Sequence, residues 1–194
     1  MTDNPAVAGT PADPLVWSEA HAVAPALGQA ADSLGVAIAQ LAAISERRLD
    51  RLVNPLVSNL PAFLATDAGS HSGFMIAQYT AAALVNDNRR LSAPAATDGG
   101  ITSGLQEDFL SHPTAAAAKL LGILDNAEYI LAIELMAAVQ AQEFHPVADL
   151  AAGTRAIRDI VRARVDRYDD DRPLHADLDV LRNIIAQEGP PSPR

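Results

Sequence analysis

No proline interrupts the chain between Pro113 and Gln142, and most side chains in that stretch are apolar. Pro113 suits the first position of a helix, where a missing N–H costs nothing and φ is already set, with Ser111 or His112 as the cap. One internal glycine, Gly122, is tolerable. The spacing predicts a helix of about 30 residues, about 45 Å long. Leu120, Leu124, Ala127, Leu131, Leu135 and Ala138 recur three or four apart and share a face. Ile123, Ile130, Ile133 and the run 115–118 cover most of the remainder. A helix apolar nearly all round has to be enclosed, which predicts a helix bundle. Ahead of its start come Gln106, Glu107 and Asp108. An acidic pair beside the positive end of a buried helix is either a cap or a site. Asp108 reads as the cap.

The totals narrow the choice further. The 194 residues suffice for one helical domain, with 1–20 as a loop or extended arm and 188–194 as a flexible tail. Apolar residues make up 49% and aromatic ones only 4%, so the core is Ala, Leu, Ile and Val, which suits close helix packing. The formal charge of −10, with thirteen arginines and the single Lys119 dispersed along the chain, disfavours nucleic acid and anionic membrane as partners. There is no cysteine, hence no disulfide and no thiolate chemistry, which fits a cytoplasmic protein. The N-terminus lacks the basic start and apolar core of a signal peptide, and no run reaches the roughly 20 apolar residues of a membrane span.

Residues 1–20, rich in Pro, Gly, Asp and Ala, read as extended or loop. From about Ala22 a helical pattern carries Leu27, Ala31, Leu34, Ile38, Leu41 and Ile44, turns polar at 45–48 and continues to about Val53. Pro55 and Pro61 break it, and 54–72 form an irregular connection. A second helix is expected over about 73–88, a loop over 92–104, then the long helix, which His145-Pro146 ends. Shorter helices follow at 154–165 and 174–187. No useful β-alternation is present, and the expected class is all-α. The five histidines form no i, i+4 pair and no carboxylate cluster, so no metal is assigned.

Several blocks then become specific. ISERR (44–48), NPLVSNLPAFL (54–64), SGFMIAQYTAAAL (72–84), QED (106–108) and LAIELMAAVQAQEF (131–144) occur in one order at one spacing. AAGTRAIRDIVRARV (151–165) and DDRPLHADLDVL (170–181) follow them, and TDNPAV (2–7) precedes them. Together they resemble the C-terminal part of histidine ammonia-lyase and its aromatic amino acid lyase relatives. The resemblance covers nearly the whole chain and implies the long-helix bundle of the fumarase/aspartase-like superfamily. It also implies a mechanism: a methylidene-imidazolone, made by cyclising an Ala-Ser-Gly triplet, acts as electrophile, a tyrosine removes a β-proton, and ammonia leaves. In the family the triplet, the tyrosine and the arginine that holds the substrate carboxylate lie upstream of the DNP segment with which this sequence opens. Thr102-Ser103-Gly104 falls in the family's polar turn before QED and does not correspond to the electrophile loop.

The resemblance also assigns roles. Glu107 matches the carboxylate that histidine ammonia-lyases place in the active site, where relatives acting on phenylalanine or tyrosine usually carry glutamine. A glutamate can accept a proton or hold an imidazole N–H. The alternative for Glu107 is a helix-terminal carboxylate near the dipole. Gln106 orients Glu107 or lines the pocket, or else is a surface amide. Met75, in the SGFMIAQ segment, either approaches the substrate or packs in the core. The family's GGNFHGEP segment, with a phenylalanine on the substrate ring, is degraded here to WSEAHAVAP (17–25). His21 corresponds to its histidine only with an insertion, and Ala20 then replaces the phenylalanine. Leu105 stands where the family has asparagine, so a polar pocket contact has become apolar. Glu46, Arg47, Arg48 and Glu134 are expected in buried ion pairs or interchain contacts.

The expectation that follows is a split enzyme. Met1 and the loop after it suit a gene product rather than a fragment, and a separate N-terminal chain carrying the Ala-Ser-Gly triplet completes it. The cofactor lies on that partner and none on this chain, within a hetero-oligomer built on a tetrameric core and acting on a small amino acid. Two alternatives stand beside it: a lyase-fold complex running a different elimination, mutase or cyclisation reaction, and a non-catalytic scaffold.

Overall fold

The structure is a computed structural model describing residues 4–19, 21–97, 99–147 and 150–187. The expected flexible tail and Ala20 lie outside the described residues, and so does the His21 side chain. The elements run β1 (Ala6–Thr10), β2 (Asp13–Trp17), α1 (Pro25–Val53), α2 (Pro55–Ser58), α3 (Met75–Leu91), α4 (Pro113–Gln142), α5 (Ala152–Arg162) and α6 (His175–Gln187). The expected long helix has the bounds read from the sequence. Residues 6–17 differ from the reading of this arm without strand pairing: β1 and β2 pair antiparallel, Val7 opposite Val16, about a turn in which the Asp13 N–H donates to Thr10 Oγ1 at 3.1 Å. Both strands are largely exposed, so no buried face imposed an alternating pattern that the sequence could display.

Tertiary contacts group the chain into two compact units, and α1 and α4 contribute to each. The first unit comprises Met1–Ile38 and Arg89–Leu124. Its helices pack through small residues. A Cβ on Gly35 would lie 3.0 Å from Ile123 Cδ1, and Ala31, Ala116 and Ile123 are buried. The second unit comprises Ala39–Asn88 and Asp125–Arg194. Its core includes Leu49, Leu64, Phe74, Ile133, Met136 and Leu181, all nearly inaccessible.

The apolar stripe expected to bury α1 does not do so within this chain. Leu27, Leu34, Leu41 and Ile44 are 60%, 48%, 62% and 52% exposed, while Ala31, Ala42, Leu49 and Val53 face inward. Small residues such as Ala31 and Ala42 permit close approach on the inward face, beside the buried Leu49 and Val53. On α4 Leu121 and Leu131 stay exposed, while Ala116, Ile123, Ile130 and Ala137 are buried. By length and composition α1 would also reach across a bilayer, since apart from Asp32 its charges gather in the last turns from Glu46 to Arg51. Isolated apolar faces of this extent mark surfaces made to be covered.

Several charged residues in the second unit are paired. Arg48 binds Glu134, which also accepts from the Ser45 hydroxyl, and Glu46 accepts two bonds from Arg47. Glu143 sits between Arg162 Nε at 2.8 Å and Arg158 Nη2 at 3.1 Å. Burial raises its pKa, but the hydrogen bonds and charges of Arg162 and Arg158 outweigh that and hold the carboxyl below its ordinary value. A depressed carboxylate contributes stability that is present above its unfolded pKa of about 4.3 and is lost as pH falls through the folded value. Glu143→Gln is therefore expected to lower the urea midpoint at neutral pH and to flatten its decline below about pH 4.3. An acid limb as steep as that of the parent protein would remove this trio from the account.

Candidate active site

The loop between α3 and α4 belongs to the first unit and carries the acid singled out in the sequence. Pro94 and the Gly99–Gly100 pair keep it from continuing α3. Its tip is a tight turn: Ser103, Gly104 and Leu105 have φ of 53°, 63° and 75°. Gly104 adopts this at no steric cost, whereas each non-glycine residue in the left-handed region costs about 1–2 kcal/mol. Two backbone bonds close the turn, Thr102 N–H to Glu107 O at 2.9 Å and Glu107 N–H to Thr102 O at 3.3 Å. Strain of this kind persists only where the surroundings enforce it, and it concentrates at functional positions.

One foot of the loop is fixed on α1 and the other on the residues just before it. Asp32 Oδ2 accepts from the N–H groups of Ala95 at 2.8 Å and Ala96 at 2.9 Å, and its Oδ1 accepts from Lys119 Nζ at 2.8 Å. Lys119 also donates to the Ala93 carbonyl. Burial raises the Asp32 pKa, and Lys119 with the two N–H groups overcomes that to leave the carboxyl below its ordinary value. At the other foot, buried Ser111 donates to the Val23 carbonyl.

Glu107, Gln106 and Leu105 thus stand side by side on an exposed tip, Leu105 79% accessible, with Ile101 and Phe109 exposed nearby in sequence. The first turn of α4 contains no acidic residue. The turn at 102–107 closes on itself through backbone bonds ahead of that helix.

Met75 lies in the second unit, at the first residue of α3 and half-buried. The segment before it is clamped by Asp171, whose carboxylate accepts from Ser72 N–H at 2.7 Å and Gly73 N–H at 3.0 Å. Phe74 donates its N–H to Phe63 O at 2.9 Å and meets the Tyr168 ring edge-on at 5.4 Å. The Gln140 side-chain amide pairs with both backbone groups of Tyr168, at 2.9 and 3.1 Å. The clamp residues Asp171, Gln140, Asp32 and Lys119 were not found in the sequence. Asp171 looks no different there from Asp169 and Asp170, and the Lys119–Asp32 pair joins residues far apart in the chain.

The cyclised group of the family requires an Ala-Ser-Gly triplet, and this chain contains none. Thr102-Ser103-Gly104 forms the exposed turn bonded to Glu107. The residues present do not fit that group. Among the described residues no cluster of His, Asp and Glu could hold a metal.

These features define a long-helix bundle of the ammonia-lyase type presenting an acidic loop. Residues 1–163 match the aromatic amino acid lyase family, and the chain belongs to it. It corresponds to a C-terminal part of a histidine ammonia-lyase-like protein. Histidine ammonia-lyase of Alkaliphilus metalliredigens is 44% identical over 95% of this chain and 36% of its own length. The chain thus spans about a third of the length of the curated relatives it matches. The crystal structure of histidine ammonia-lyase from Trypanosoma cruzi superposes with a TM-score of 0.84 at 36% identity, over 88% of this chain and 34% of that one. Tyrosine aminomutase from Streptomyces globisporus gives 0.84 at 31% identity, over 89% and 33%.

Proposed function

We propose that this chain supplies the C-terminal part of an ammonia-lyase-like active site, completed by a separate N-terminal chain that carries the Ala-Ser-Gly triplet and the electrophile derived from it. Glu107 accepts a proton from, or holds, a polar group of a small amino-acid substrate. Gln106 orients it and Leu105 contacts the substrate, and Met75 and His21 are the further substrate-binding candidates. The observation that carries this reading is the Glu107 turn, a strained and doubly bonded presentation of the acid at the family's catalytic position. Leu105 in place of the family's asparagine suits a substrate less polar at that point than histidine.

The exposed leucines of α1 supply the second support. An apolar side chain left in water forgoes about 1.5–3 kcal/mol of burial, so Leu27, Leu34 and Leu41 favour association with further helices. The proposed assembly is a hetero-oligomer with a tetrameric core, and the proposed compartment is the cytoplasm. A second reading, an aminomutase or related reaction on the same framework, is favoured by the similarity to the tyrosine aminomutase.

Co-expression with the N-terminal chain tests the proposal. This chain alone is expected to aggregate and to show no turnover, and the pair to give a stable complex releasing ammonia from an amino acid. The intact mass of this chain should equal its plain sequence mass, with any loss of water on the partner. A monodisperse monomer of this chain alone by light scattering would sink the split-enzyme reading, and dehydration localised to Thr102–Gly104 would relocate the electrophile. Formation of a β-amino acid without free ammonia would favour the mutase.

A further inference from the structure

The Glu107 turn closes on itself, yet nothing in the turn fixes where it points. Its two feet both approach a single face of α1, and the far foot is also bonded through Ser111 to the Val23 carbonyl just before that helix. Gly28 and Asp32 are four residues apart in that helix and therefore adjacent on its surface. Asp32 holds Ala95 and Ala96 at the near foot. A Cβ on Gly28 would lie 3.0 Å from Ser111 O, 3.3 Å from Ala96 Cβ and 3.4 Å from Pro113 Cα, so both feet press against this one glycine. Lys119, between one and two turns into α4, reaches back to Asp32 and to the Ala93 carbonyl. The Asp32 side chain is only 9% accessible and that of Lys119 22%, so the bonds are largely shielded from water.

We infer that Asp32 and Lys119 are positioning residues for the acid-bearing loop, with Gly28 as the seat on which its two ends meet. They touch no substrate and act through the backbone of 93–111. The carboxylate joins three elements, α1, the foot of the loop and α4, through charge-assisted bonds that are roughly twice as strong as neutral ones. Removing them frees the foot and lets the tip swing while both helices keep their packing. A displacement of about 1 Å at a catalytic group costs about 10²-fold in rate. The effect should fall on kcat, because the substrate's binding groups elsewhere are unaffected.

This inference deepens the proposed role of Glu107, and its test separates the two. Asp32→Asn, Lys119→Met, Gly28→Ala and Lys119→Arg are made in the assembled protein, and amide hydrogen exchange is followed at Thr102 and Glu107, with Ile130 in α4 as reference. The expected result is exchange at Thr102 and Glu107 faster by about tenfold or more in the first three variants, Ile130 unchanged, and near-parent protection in Lys119→Arg. Turnover should fall by about 10²-fold in kcat with little change in KM, again restored in Lys119→Arg. Faster exchange at Ala95 and Ala96 with Thr102 and Glu107 unmoved would overturn the inference, since the feet would then not govern the tip. Loosened Thr102 and Glu107 amides with undiminished turnover would uphold the positioning and instead remove Glu107 from catalysis. If Asp32→Asn fails to fold, Gly28→Ala tests the same coupling of foot to tip without removing a charge.

Discussion

Glu107→Gln is expected to lower turnover of the assembled enzyme by about 10²–10⁴-fold while leaving assembly and melting temperature in place. The two side chains are nearly isosteric, and the bonds that close the 102–107 turn are backbone bonds, Thr102 to Glu107 in both directions, which the substitution does not touch. What changes is chemical: an amide cannot accept a proton at neutral pH, and it replaces a charge-assisted bond by a neutral one. A capping carboxylate would behave differently, costing about 0.3–1 kcal/mol of stability and little rate. Turnover within a few-fold of the parent protein would take Glu107 out of the site, whatever the melting temperature does.

Phe74→Ala is expected to destabilise the second unit by about 3–5 kcal/mol, read as a lowered urea midpoint of the complex. Phe74 is fully buried, packs edge-on against Tyr168, and is tied by its N–H to Phe63. Truncation leaves a cavity where two clamps converge, the Asp171 grip on Ser72 and Gly73 and the Gln140 hold on Tyr168. Neither clamp can close the gap, because Gly73 has no room to move: a Cβ placed on it would already lie 2.4 Å from Phe63 O. Phe74→Leu fills most of the volume and should cost much less. A loss below about 1 kcal/mol for the alanine variant would show that the segment collapses freely and that these clamps do not fix Met75.

Much of the fold was legible in the sequence because its signals are local. Pro113 and the apolar run behind it set α4, Pro55 and Pro61 ended α1, and ordered blocks such as SGFMIAQ and QED carried the family. The same local signals could not say which side of a helix turns inward. On α1 the stripe of Leu27, Leu34, Leu41 and Ile44 stays exposed, yet Ala31, Gly35 and Ala42 lie on the face that packs, where small side chains let the backbones approach closely. The hairpin was invisible for the opposite reason: strands with no buried face impose no alternation.

At the site, the sequence by itself determined that an acid stands beside Gln106 in a polar turn ahead of a buried helix. Only the tertiary structure decided how the loop that carries the acid is held. It did so through contacts that sequence spacing does not encode: Thr102 bonded across to Glu107, and Asp32 on one helix joined by Lys119 of another to the foot of the loop. Helix periodicity is fixed by the backbone repeat of each segment alone, whereas the direction of a loop is fixed by whichever distant side chains satisfy its N–H and carbonyl groups.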